Sequence, residues 1–136
     1  MKVWCGFGSE HSMNLVMIGH FDDVTDAARA NQVIEWLGEQ VRQDTEAGLM
    51  AFGEPTHRFT DGMSELLGRI KEYSVRPDEV EQFAYDVSIK IDGKKMVLRT
   101  EESDVSAFLK VLLDEGARVE VYSAHRHPAP DERVAE

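Results

Sequence analysis

Tyr85-Asp86-Val87-Ser88-Ile89-Lys90-Ile91-Asp92-Gly93-Lys94-Lys95-Met96-Val97-Leu98 is the stretch whose pattern decides the fold. Tyr85, Val87, Ile89 and Ile91 alternate with Asp86, Ser88 and Lys90, the period of a strand with one apolar face. Asp92-Gly93 breaks the alternation with a turn dipeptide, and Met96-Val97-Leu98 resumes it, so the stretch predicts a β-hairpin.

Downstream of the hairpin, Ser103 or Asp104 opens an amphipathic helix carrying Val105, Phe108, Leu109 and Leu112, and Gly116 ends it. Val119 and Val121 mark a last strand. Upstream, Pro77 suits the first turn of a short helical piece, with Asp78 and Glu79 near the positive end of its dipole. Before it, Met63, Leu66, Leu67, Ile70 and Tyr73 form one helical stripe that Thr60 or Asp61 caps. Gly53 and Pro55 mark a connection. The longest helix runs from Val24 to about Glu46, with Val24, Ala27, Ala28, Asn31, Ile34, Leu37 and Val41 at helical spacing. Asp22 with Asp23 or Thr25 supplies its cap, Gly38 weakens its middle, and Gly48 is its stop. Asn14 to Phe21 (NLVMIGHF) is nearly continuous in apolar residues, as in a central strand covered on both faces. A short strand, Val3 to Phe7, precedes it.

Apart from that first short strand the order is strand, long helix with a helical insertion, hairpin, helix, strand. This is the split βαβ pattern of a ferredoxin-like α+β domain, here with an extra N-terminal strand. That arrangement puts the first and third core strands in the middle of an antiparallel sheet and the last strand antiparallel to the first. The segment around His125 is then expected near Asn14, and hence near His11. An open α+β sheet with the N-terminal hairpin on that edge is the alternative, and there the convergence fails. Residues 1–127 read as a single domain and 128–136 as a mobile, Pro-containing tail.

A length of 136 residues suits one core, and 42% apolar with 30% charged residues is the balance of a folded chain. Asp and Glu number 26 against 15 Lys and Arg, and the net charge of −11 disfavours nucleic acid and anionic membrane as partners. It accords with a basic protein partner or with acidic mimicry of nucleic acid, and a small molecule and a homodimer are the other partners considered. Cys5 is the single cysteine, so no internal disulfide forms, and a reducing cytoplasm is the expected setting. No stretch reaches the roughly 20 apolar residues of a membrane span.

The segments GFGSEHSMNLVMIGHF, EQFAYDVSIKI and DVSAFLKVLLDEGARVEVYSAH resemble an uncharacterised family of small bacterial proteins, a domain of unknown function, over most of the chain. The resemblance implies no activity, cofactor or catalytic residue.

Chemistry-bearing residues concentrate in two places. Glu10 and His11 are the candidate catalytic pair, since imidazole titrates near neutral pH and a carboxylate fixes its tautomer. Ser9, Ser12, Asn14, His125 and His127 are the candidate ligand-binding residues, able to orient an oxyanion or water. Imidazole and carboxylate also suit zinc, nickel or iron, but there is no compact ligand motif and no metal is assigned. Ser9 and Ser12 lack the Gly-x-Ser-x-Gly context of a nucleophile and read as turn residues. Gly6-Phe7-Gly8 lacks the third glycine of a phosphate loop. Asp22, Asp23 and Asp26 lack the calcium-loop pattern and read as caps. His20 reads as a hydrogen-bonded core or edge histidine, and Trp36 borders its helix face in a position suited to a groove or dimer contact. The first functional expectation is an acidic binding or regulatory module. The alternative is a small enzyme using His11 and Glu10 with His125 or His127.

Overall fold

A computed structural model describes residues 14–51, 57–85, 87–101 and 105–123. Its elements are β1 (Leu15–His20), α1 (Val24–Glu46), α2 (Asp61–Ile70), a 3-10 segment (Pro77–Ala84), β2 (Ser88–Asp92), β3 (Lys95–Thr100), α3 (Val105–Asp114) and β4 (Arg118–Ser123). The strands form one antiparallel sheet in the order β2-β3-β1-β4. The chain is thus a mixed α/β domain, with β1 and β3 in the middle and β4 antiparallel to β1. The extra N-terminal strand, the start of α3 at Ser103 or Asp104, and the C-terminal tail lie outside the described residues.

Local chemistry sets the element ends. The Asp23 side chain accepts from the Thr25 backbone N–H at 2.8 Å and caps α1. Beyond that helix Gly48 takes a φ of +80, open to glycine without cost. Thr60 caps α2, its hydroxyl accepting from the Met63 N–H at 3.0 Å. At the start of α3 the Gln82 side-chain oxygen Oε1 accepts from the Ala107 N–H at 2.9 Å, so the 3-10 segment caps its neighbour. A two-residue turn at Gly93-Lys94 joins β2 to β3, with Gly93 at a φ of +63.

Strand alternation divides the sheet into two faces. Met17, Met96 and Leu98 point into the main core with Ala27, Val33, Leu37, Val41, Phe108 and Leu112. Val16, Ile18 and Val97 form a second, smaller buried cluster on the opposite face. Two buried faces explain why β1 reads as an unbroken apolar run. α3 packs over β1 and β4, α1 over β3, and the 3-10 segment bridges α1 and α3. Phe83 of that segment meets Phe108 edge-on, with centroids 5.4 Å apart.

Two helix faces differ from the sequence expectation. In α1 the buried stripe is Ala27, Ala30, Val33, Ile34, Leu37 and Val41, while Val24 and Ala28 are exposed. The helix is turned so that Val33 rather than Asn31 faces inward, and Asn31 is left at the rim. Gly38 belongs to this buried face. A Cβ there would sit 3.0 Å from the Phe83 carbonyl oxygen, so the glycine admits the 3-10 segment against α1. Tyr73 leaves the α2 stripe altogether, because α2 ends at Ile70 and Lys71 takes the left-handed φ of 61. The ring of Tyr73 is 75% exposed.

Candidate functional site

The helical layer does not extend over the whole sheet. β2 occupies one edge, beyond the strands that α1 and α3 cover. Ile89 pairs with Leu98 and Ile91 with Met96, so both isoleucines project on the core side of the sheet. A groove of about 950 Å³ opens between α1 and β2. Its α1 wall carries Ile34, Glu35, Trp36, Gly38, Glu39 and Arg42. The opposite wall and floor carry Phe83, Ala84, Tyr85, Val87, Ile89 and Ile91.

Apolar side chains that a core would bury stand open here. Ile91 is 44% exposed and Trp36 40%, a concentration that marks interaction surfaces more often than chance exposure. The Arg29 guanidinium lies 5.9 Å from the Trp36 ring centroid, holding the indole from one side. On the rim, Arg42 Nη2 donates to Glu39 Oε1 at 2.6 Å, and this bond holds the Glu39 carboxyl below the usual carboxylate range. The pair cancels its own charge, and Glu35 leaves the rim negative. Chemically the groove offers the apolar and aromatic side chains of Trp36, Phe83, Tyr85, Ile89 and Ile91, with an acidic lip at Glu35.

On the other sheet face, His20 Nε2 lies 3.1 Å from Glu120 Oε2, and the Tyr122 hydroxyl donates to Glu120 Oε1. That hydrogen bond pushes the Tyr122 phenol up. The group ties the two strands together across half-exposed side chains, where such bonds stabilise little. In the same face Arg99 Nη1 is buried without a hydrogen-bond partner.

Of the residues nominated from sequence, Asn14 immediately precedes β1 and is partly buried. Ser9, Glu10, His11, Ser12, His125 and His127 lie outside the described residues. The register does bring their points of attachment together, since Leu15 pairs with Ser123. His20 is hydrogen-bonded as expected, but it is half-buried at the end of the central strand β1, neither in the core nor on an edge strand. His57 is exposed. Trp36 lies in the groove. Sequence reasoning missed its other wall: Ile89 and Ile91 carry the ordinary signature of a strand's buried face, and only the strand order leaves Ile91 exposed and Ile89 partly buried.

Among the described residues no three His, Cys, Asp or Glu side chains gather into a set able to hold a metal ion. No described helix is long and apolar enough to cross a membrane. No curated protein and no solved structure matches the chain. Residues 1–134 match the model of a family of unknown function, DUF6375, and the chain belongs to that family.

Proposed function

We propose that this protein is a small cytoplasmic binding or regulatory module of ferredoxin-like, split βαβ architecture, and that its ligand surface is the groove between α1 and β2. The order β2-β3-β1-β4, antiparallel throughout, supports the architecture. The carrying observation for function is the exposed Ile91, with the partly buried Ile89 beside it, facing Trp36 across the groove. Charge selects the occupant. A chain of net charge −11 with Glu35 at the groove's lip attracts a segment of a protein partner that combines apolar side chains with lysine or arginine. Selection from a displayed library of random peptides on the immobilised full chain tests this. Basic, apolar sequences are expected to enrich and to lose binding to Trp36→Ser and Ile91→Asp. Failure to enrich any sequence, or binders indifferent to both substitutions, would refute the reading.

A second reading keeps His11 and Glu10 as an acid and base with His125 or His127, with or without a metal. Its support is the pairing of Leu15 with Ser123, the described residues nearest in sequence to the two segments, at one end of the sheet. Native mass spectrometry of untagged protein, with metal analysis and His11→Ala as control, tests it. A bound metal or small ligand lost in the variant is the expected result, and a clean apo species in both removes an intrinsic metal.

A further inference from the structure

We infer that β2 is the contact edge of a symmetric dimer of this chain, paired antiparallel to its own copy about Ile91, and that the second copy supplies the missing wall of the groove. Among the described residues β2 ends the sheet and nothing pairs with its outer side. Free edges invite another strand unless something blocks them. β2 holds no proline and no bulge, and its residues Lys90 to Asp92 are exposed. Its sequence is complementary to itself in one register. A two-fold axis through Ile91 sets Lys90 opposite Asp92 of the second copy and Asp92 opposite its Lys90, two opposite-charge cross-strand pairs on the outer face. On the inner face the exposed Ile91 meets its counterpart. An axis through Lys90 would instead oppose two ammonium groups. Joined in this register, the sheets become one of eight strands, and α1 and its symmetry mate flank a trough whose floor is Ile89 and Ile91 from both copies. The mutual repulsion of two chains at −11 is screened beyond about 8 Å at physiological ionic strength, whereas the strand pairs act at contact.

Sedimentation velocity of the full chain at about 0.15 M salt and up to about 100 µM tests this. The wild type is expected at twice the 15.4 kDa of one chain. Lys90→Asp and Asp92→Lys each set like charges together at both pairs, and each is expected to weaken association about tenfold. Mixing the two variants restores opposite charges at both pairs and should return the dimer. Asp92 also faces Lys95 within the hairpin, so Lys90→Asp, at an exposed position, carries the test if Asp92→Lys misfolds by circular dichroism. A wild type that stays monomeric across the range, or a dimer indifferent to Lys90→Asp, overturns the inference. Neither result touches the groove's ligand, which the peptide selection reads independently.

Discussion

The two ends of α2 each bury a carboxyl group, and they treat it in opposite ways. Before the helix, Asp44 of α1 is 4% exposed and fully engaged. It accepts from the Thr60 hydroxyl at 2.7 Å and from Gln40 Nε2 at 3.0 Å, while Thr60 itself caps the helix. After the helix, Glu72 is 1% exposed, and neither of its oxygens reaches a hydrogen-bond partner. Burial first, then the Asp114 carboxylate beside it and the more distant Glu115, push the Glu72 carboxyl up to about 9, with Arg29 opposing. Asp44 is therefore a clamp between α1 and α2, and Glu72 is a neutral acid buried beside the Asp114 carboxylate. The contrast teaches that burying an acid says nothing of its role until its partners are counted.

The largest effect expected breaks this contrast at Glu72. Its folded-state pKa lies above the ordinary value of 4.5, so its contribution to stability is full below about pH 4.5 and is lost as pH rises towards 9. Glu72→Gln removes the titration. Relative to wild type, the variant is expected to gain stability between pH 5 and 8, on the order of 3 kcal/mol. Urea unfolding at both pH values measures it, and parallel pH profiles for the two proteins would show that Glu72 ionises freely in the fold.

Next in size is Asp44→Ala, which strands the Thr60 hydroxyl and the Gln40 amide and is expected to cost about 2–3 kcal/mol at pH 7. A loss below about 0.5 kcal/mol would remove the clamp. Thr60→Val keeps the shape but deletes both the cap and the bond to Asp44, for about 1–2 kcal/mol. A double-mutant cycle with Asp44→Ala should then show strong coupling. The smallest effect sharpens the far end: Lys71 holds a φ of 61 with a Cβ, and Lys71→Gly is expected to stabilise by up to about 1 kcal/mol in thermal unfolding.

Local pattern carried most of the elements. The hairpin break at Asp92-Gly93, the α1 span from Val24 to Glu46 and the stops at Gly48 and Gly116 are all decided within a few residues of themselves. The inward face of α1 was harder to read. Alanines at 27, 28 and 30 provide too little apolar bulk to orient a helix, and the Gly38 approach to Phe83 depends on a residue 45 positions away. The groove was half legible, through Trp36 alone, since the edge position of β2 is a property of pairing across the whole chain. Nothing in Lys71-Glu72-Tyr73 marks the middle residue as the buried one, because the left-handed turn at Lys71 redirects all three.

β1, the centre of the sheet, has its two partners in β3 and β4, so the pair His20 and Glu120 closes a loop of 100 residues. Such long closures are entropically expensive and slow. During synthesis β1 must therefore wait until Lys95–Thr100 have left the ribosome for its first described partner strand, and until Arg118–Ser123 have done so for its second. The helices and the β2–β3 hairpin can form meanwhile, but the strand that organises them completes its pairing last, and that interval is when the chain is most open to aggregation.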